Sequence, residues 1–207
     1  GNYKVTVTDV NGCRTAMFFD ILEPTALTAS NLTTPVSCFA GADGTASVDA
    51  QGGTTPYTYD WNPGGVLGAS RINLTAGTYT VTVTDARGCT AITQPVVTEP
   101  TDITDVMNPS DASCAGGNNG SASVVAGGGI PPYTFLWDDG SVGTQITGLT
   151  AGVYSVTITD NNGCSHAASV NVGEAAAMVL NVIGSDATCG QSNGSASVNG
   201  NGGTGVF

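Results

Sequence analysis

The sequence predicts an all-β chain built from tandem β-sandwich repeats of about 75 residues. One segment occurs three times along the chain at a nearly constant period, and a second segment recurs in step with it. Composition points the same way, because Gly, Thr, Ser, Val and Ala dominate and only 10% of the residues are charged. Such a composition favours strands and turns over helices.

The repeated segments set the predicted domain boundaries. The first segment starts at Gly1, Gly77 and Gly152 and ends in a cysteine each time. Junctions are expected at Glu23-Pro24, at Glu99-Pro100 and in the alanine run 175–177, so the chain reads as a window on a longer array, arranged as a linear rod. We predict the last strands of one repeat in 1–24, complete repeats in 25–100 and 101–175, and the first strands of a further repeat in 176–207.

Alternation of apolar and polar residues predicts the individual strands. Successive side chains in a strand point to opposite faces, so every second residue of a half-buried strand is apolar. Glycine pairs and Asp-x-x-Gly turns separate these segments at the spacing of a sandwich. The apolar sets are Ala46/Val48/Ala50, Tyr57/Tyr59/Trp61, Tyr79/Val81/Val83, Tyr133/Phe135/Trp137 and Tyr154/Val156/Ile158.

Two features make the predicted sandwich immunoglobulin-like, or PKD-like. Tyr79 and Tyr154 follow Leu-Thr-Ala-Gly at the start of the penultimate strand, the position of a tyrosine corner. Trp61 and Trp137 occupy the third-strand tryptophan position, and we predict all four side chains to be structural core. The usual disulfide between the second and sixth strands is absent, because Ala, Val and Tyr occupy those inward positions.

The six cysteines predict an oxidising, extracellular location. Because they form no Cys-x-x-Cys pair, they do not suggest a zinc site. We hypothesise a Cys38–Cys164 staple between repeats, since Cys38 and Cys89 are expected at opposite ends of one sandwich, roughly 25 Å apart. Pairing of Cys38 with Cys89, Cys13 with Cys38, or Cys89 with Cys114 stays open. The disulfide candidates are Cys13, Cys38, Cys89, Cys114, Cys164 and Cys189.

The combined pattern resembles the SprB repeat of Bacteroidota surface proteins. The pattern reads C-x5-G-[ST]-A-S-V, then GG-x2-PY-[TS]-[YF]-x-W, then L-T-A-G-x-Y-x-V-T-[VI]-T-D-x-x-G-C. The resemblance covers essentially the whole chain, although the last copy has Gly205-Val206-Phe207 where the family shows Pro-Tyr. It implies type IX secretion, display on the bacterial cell surface, and a role in adhesion or gliding motility.

Charge and hydropathy exclude several partner classes. A net charge of −12 repels nucleic acid phosphates and anionic lipid headgroups. No apolar run reaches the roughly 18 residues that a membrane-spanning helix needs. We therefore expect no nucleic acid partner and no membrane insertion in this sequence.

Catalysis, cofactors and isopeptide bonds find little support in the sequence. The single histidine, His166, replaces an alanine of the neighbouring copy and is interpreted as an exposed strand residue, so the chain is not expected to be an enzyme. Asp85 and Asp160, like Asp9, recur as turn residues, and they are weak calcium candidates because a calcium loop needs further oxygen ligands. No other cofactor is expected. With Lys4 as the only lysine, intramolecular isopeptide bonds are excluded.

Three function classes follow from these observations. The first is a passive structural or adhesive stalk, whose partners are neighbouring repeats of the same chain. The second is a carbohydrate-binding module that stacks surface polysaccharide on exposed aromatics such as Trp61 and Trp137. The third is a filament subunit that associates laterally with like filaments through uncharged, Thr-rich sheet faces. Repetition without site-like variation favours the stalk.

Overall fold

The chain folds entirely into β-structure in the part that the structure describes. A computed structural model describes residues 1–65 and 68–203, and these contain strands and turns but no helix. Consequently none of the described residues belongs to a helix long and apolar enough to cross a membrane. The departure of the last copy at Gly205-Val206-Phe207 lies outside the described residues.

The chain divides into two compact units. Unit 1 comprises Gly1–Val36 and Ala40–Glu99, and unit 2 comprises Ser37–Phe39 and the chain from Pro100 onward. The short loop Ser37–Phe39 therefore belongs with the second unit, although it interrupts the first in sequence. Each unit contains one sandwich and one isolated hairpin.

Unit 1 contains a hairpin and a sandwich of two three-stranded sheets. Every strand pair is antiparallel. Its strands are β1 (Asn2–Thr8), β2 (Arg14–Asp20), β3 (Thr28–Thr34), β4 (Gly44–Gln51), β5 (Thr58–Asn62), β6 (Ser70–Leu74), β7 (Gly77–Thr78), β8 (Thr80–Thr84), β9 (Thr90–Thr93) and β10 (Val96–Val97). The sheets have the orders β3-β4-β6 and β5-β8-β9, β7 pairs with β10, and β1 pairs with β2.

Unit 2 repeats this arrangement in the order sandwich then hairpin. Its strands are β11 (Thr104–Ser110), β12 (Gly120–Gly127), β13 (Thr134–Trp137), β14 (Gln145–Leu149), β15 (Gly152–Thr159), β16 (Ser165–Val172), β17 (Val179–Ser185) and β18 (Ser195–Asn201). The sheets have the orders β11-β12-β14 and β13-β15-β16, and β17 pairs with β18. All of these pairs are antiparallel.

These strand orders are immunoglobulin-like. The first, second and fourth long strands form one sheet, and the third, fifth and sixth form the other, as in strands A-B-E and C-F-G of an immunoglobulin domain. The fold class predicted from the sequence is therefore confirmed. One detail differs: Tyr79 lies between β7 and β8, whereas its counterpart Tyr154 lies inside the continuous strand β15.

Each sandwich has its own core, centred on a tryptophan. Trp61 is fully buried in unit 1 and packs with Val81 and Val83 of β8, and Trp137 occupies the same place in unit 2 with Val156 and Ile158. These valine and isoleucine side chains are the inward residues of the predicted alternation. The two hairpins are different, because the side chains of β1, β2 and β17 are exposed along their whole length.

Candidate functional site

The tryptophan side chains are buried in the cores and are not accessible to ligands. Trp61 donates its indole N–H to the carbonyl of Gly68 at 2.8 Å, and Trp137 donates to Gly143 at 2.9 Å. In unit 1 the Arg71 guanidinium also lies over the Trp61 ring, 5.8 Å from its centroid. With exposures of 0% and 2%, neither ring can stack on a sugar.

The tyrosines form tyrosine corners in both repeats. The Tyr79 hydroxyl donates to the carbonyl of Thr75 at 3.0 Å, and the Tyr154 hydroxyl donates to Thr150 at 2.9 Å. Each bond closes a short segment at the entry to the penultimate long strand. Tyr79 is buried and Tyr154 half-buried, so these side chains hold the sandwich edge and form no exposed aromatic platform.

Asp85 and Asp160 organise a turn that we call the aspartate turn, residues 85–89 in unit 1 and 160–164 in unit 2. One oxygen of Asp85 accepts the backbone N–H groups of Arg87 at 2.9 Å and Cys89 at 2.8 Å, and the other accepts that of Thr54 at 2.9 Å. Each turn therefore fixes its own cysteine and ties itself to the loop that follows the second long strand.

Asp160 makes the same set of bonds in unit 2. Its Oδ1 accepts the N–H groups of Asn162 at 2.9 Å and Cys164 at 3.0 Å, while its Oδ2 accepts that of Ile130 at 2.9 Å. Asp9 forms a third aspartate turn, residues 9–13, in the exposed hairpin, with bonds to Asn11 and Cys13. The turn geometry thus recurs wherever the motif recurs.

These hydrogen bonds lower the pKa of both buried aspartates. Burial alone would raise the pKa of Asp85, but the backbone N–H groups of Cys89, Thr54 and Arg87 together hold the pKa below its usual value of 3.8. The pKa of Asp160 is lowered for the same reason, with burial opposed mainly by the N–H groups of Ile130 and Cys164. Both side chains are therefore carboxylates engaged in the fold.

The structure gives little support to the calcium candidates. Within residues 1–65 and 68–203, no group of three His, Cys, Asp or Glu side chains is placed to hold a metal ion. Both oxygens of Asp85 and of Asp160 already accept N–H groups, which compete with a cation for the same lone pairs. A carboxylate arrangement of this kind fastens backbone and does not form a cage for calcium.

Two glutamates each hold a loop that contains a cysteine, a recurrent contact that sequence reasoning missed. We call residues 37–41 and 113–117 the cysteine loops. Glu99 accepts the backbone N–H of Ala40 at 2.8 Å, and Glu174 accepts that of Gly116 at 2.6 Å. The available signal was their spacing, since Glu99 and Glu174 lie one repeat apart.

A disulfide joins a cysteine loop to an aspartate turn inside unit 2. Cys38 and Cys164 are bonded, with their Cα atoms 5.7 Å apart and 126 residues apart in sequence. The Asn162 amide donates to the carbonyl of Ser37 at 2.9 Å beside the bond. All six cysteines lie in the described part of the chain, and the remaining four are exposed and unbonded: Cys13, Cys89, Cys114 and Cys189.

A small cavity adjoins this disulfide in unit 2. Its volume is about 130 Å³, and Phe39, Asp102 and Ile103 line it together with the bonded cysteines. Ligand pockets for organic molecules are larger, on the order of 300–1,000 Å³. The cavity has room for a few water molecules beside the disulfide.

His166 is tied into the fold and does not stand free on the strand surface. Its Nε2 lies 2.9 Å from Oδ1 of Asp105, which joins β16 to β11 within unit 2. The sequence indicated a strand residue but gave no sign of this partner, which lies 61 residues away. The pair links two strands and has the exposure of a partly solvated surface contact.

Comparison with known proteins finds a repeat family. The model of the SprB repeat matches residues 30–66 and 107–142, one segment in each sandwich. No curated protein matches the chain.

Solved structures with a similar fold are immunoglobulin-domain proteins. The N-terminal eight Ig domains of Down Syndrome Cell Adhesion Molecule align at 15% identity with a TM-score of 0.43, covering 87% of this chain and 28% of that one. The first two Ig domains of DIP-gamma align at 10% identity with a TM-score of 0.37, covering 71% and 97%. An amphioxus IgVJ-C2 molecule aligns at 17% identity with a TM-score of 0.31, covering 68% and 99%.

Proposed function

The chain carries SprB repeats at two segments, and from this we propose that it is a structural module of an extracellular bacterial surface protein, a stalk for adhesion. In this proposal the repeats supply length and solubility, and adhesive contacts are made elsewhere on the protein. Export by type IX secretion and a role in gliding motility belong to the proposal through the same family. Repeats and immunoglobulin-like folds of this kind are typically structural modules without catalytic activity.

One observation carries the proposal: the recurrent side chains do the same structural work in both complete repeats. The tryptophan bonds are 2.8 and 2.9 Å long in the two units, and the tyrosine-corner bonds are 3.0 and 2.9 Å long. The bonds from the aspartate oxygen to the cysteine N–H are 2.8 and 3.0 Å long. A binding site would leave some recurrent polar groups without a partner in the protein and directed into a concave surface. Here the recurrent polar groups form hydrogen bonds that hold strands, turns and loops together.

The disulfide and the surface charge support an extracellular setting. A half-buried disulfide persists in oxidising compartments and is rare in the bacterial cytosol. The net charge of −12 keeps such repeats soluble and mutually repulsive. Both properties suit a long array displayed in the medium.

The carbohydrate-binding alternative loses its main support because Trp61 and Trp137 are buried. Phe39 is the aromatic residue among those lining the small cavity beside the disulfide, and its side chain is 50% exposed. Its counterpart in the second cysteine loop is Ala115, so a site based on Phe39 would not recur with the repeat. The aromatic positions that do recur, Tyr57/Tyr133 and Tyr59/Phe135, are half-buried and pack against the core of their own sandwich.

The filament alternative rests on uncharged, Thr-rich sheet faces. Unit 2 also exposes a pair of apolar side chains on its surface. Val106 and Val125 are directly paired across β11 and β12, and each is more than half exposed. Their counterparts in unit 1 are Ser30 and Asp49, both polar and exposed. A lateral contact through this pair would thus form in one repeat and not in the next, which does not suit a regular filament.

A binding screen of the full 207-residue chain tests the proposal. The chain is immobilised and exposed to bacterial polysaccharides and host glycans, with calcium and with chelator. A stalk shows no saturable binding under either condition. Saturable binding that Phe39→Ala abolishes, while a Phe19→Ala control in the exposed hairpin retains it, would replace the stalk by a carbohydrate-binding module.

A further inference from the structure

We infer that the cysteines of this repeat pair by a fixed rule. The cysteine of a cysteine loop bonds to the cysteine of the aspartate turn that lies 126 residues later in the chain. Cys38 and Cys164 are the one pair at this separation in the 207-residue sequence. By the same rule, the partner of Cys114 would be an aspartate-turn cysteine 126 residues after it, and the partner of Cys89 would be a cysteine-loop cysteine 126 residues before it.

The first support is that the two cysteine loops have the same conformation. The second residue after the cysteine is in the left-handed region in both, with φ of 55° at Ala40 and 68° at Gly116. The backbone N–H of that residue is held by a glutamate, Glu99 in one loop and Glu174 in the other. Cys114 is therefore presented as Cys38 is, although it has no partner here.

The second support is that the aspartate turns are equally alike. In the turns of Cys89 and Cys164, the cysteine N–H is bonded to the aspartate carboxylate, and the cysteine carbonyl accepts the aspartate N–H at 2.9 Å. The side chain before the glycine is a donor in both, Arg87 or Asn162, and Asn162 uses its amide to hold Ser37 of the bonded loop. Cys89 is exposed and ready for the same partner.

Cys89 and Cys114 themselves are both exposed free thiols. The rule assigns them to different partners and predicts no bond between them.

The chemistry is oxidation of two thiols to one disulfide. Each new S–S bond releases two protons and two electrons, and a disulfide oxidant, such as oxidised glutathione or an oxidoreductase disulfide, accepts them and becomes two thiols. In an array of many repeats, every cysteine loop and every aspartate turn would be consumed in this way. Such pairing needs only tandem repeats and an oxidant, and it is independent of any ligand of the surface protein.

A duplicated chain tests the rule. Residues 1–175 are followed by residues 25–207, which places the second copy of Cys89 at position 240, and this is 126 residues after Cys114. Cys89→Ser in the first copy and Cys114→Ser in the second leave one Cys114, in the first copy, and one Cys89, in the second copy. After refolding with reduced and oxidised glutathione, peptide mapping of the monomer should find Cys114 linked to Cys89 in most molecules.

The matched control keeps the opposite pair. Cys89 is retained only in the first copy and Cys114 only in the second. Cys89 then precedes Cys114, so the rule predicts that both remain free thiols and are alkylated. Equal cross-linking in the two chains would overturn the rule, as would free Cys114 in the test chain or a Cys89–Cys114 bond in the original chain. Loss of the Cys38–Cys164 bond in the folded test chain would also overturn it.

Discussion

The Cys38–Cys164 disulfide should prevent most of the chain from extending under a pulling force. When the two ends are pulled apart, force passes from Cys38 through the sulfurs to Cys164, and the 126 residue steps between them bear no load. At about 3.3–3.6 Å per residue these steps correspond to roughly 420–450 Å of contour length. In the oxidised chain, the 5.7 Å between the two Cα atoms takes their place.

Single-molecule force spectroscopy measures this length directly. The fully unfolded chain should lengthen by roughly 420–450 Å when reductant is added, and Cys38→Ser should show the long contour without reductant. Cys114→Ser is the matched control, because Cys114 is exposed and unbonded, and should behave as wild type. A Cys38–Cys89 bond would conceal only roughly 170–180 Å, and an unchanged contour would refute a disulfide on the load path.

Three further perturbations probe the fold. Trp137→Ala should destabilise unit 2 by about 3–5 kcal/mol, because it leaves an unfilled cavity in the core. The effect is measured as a shift of the denaturant midpoint of that unit, and an unchanged midpoint would contradict the burial of Trp137. Tyr154→Phe, which removes one hydroxyl bond and keeps the ring, should cost about 0.5–1.5 kcal/mol, and an effect as large as that of Trp137→Ala would contradict a corner bond of ordinary strength. Because the pKa values of Asp85 and Asp160 are lowered in the folded state, the stability they contribute should be complete above their usual value of 3.8 and should fall as pH drops through the lowered pKa. In acid titrations followed by tryptophan fluorescence, Asp160→Asn should weaken this pH dependence, and an unchanged dependence would contradict the lowered pKa of Asp160.

Local pattern was enough to predict the fold class and the core of each repeat. Alternation along a strand reports burial directly, so the inward positions of Val81, Val83, Val156 and Ile158 follow from the sequence. The tryptophans and the tyrosine corners follow from their place between recurrent turns. These features depend on residues close together in the chain.

Features that join distant segments could not be predicted in the same way. The Asp105–His166 pair and the glutamates that hold the cysteine loops connect residues far apart in the sequence, and no local pattern encodes such partners. Periodicity also left the disulfide connectivity open, because each of the candidate pairings repeats with the same period. What selects Cys38–Cys164 in the structure is the placement of Ser37–Phe39 in unit 2 beside the aspartate turn.

The central claim is that the recurrent residues of this repeat serve its structure. Peptide mapping of the oxidised 207-residue chain tests this claim most directly. The free thiols are alkylated first, and the chain is digested without reduction. The predicted result is one cross-linked peptide pair containing Cys38 and Cys164, with alkylation at Cys13, Cys89, Cys114 and Cys189. A cross-link between Cys38 and Cys89, Cys13 and Cys38, or Cys89 and Cys114, with Cys164 alkylated, would contradict it.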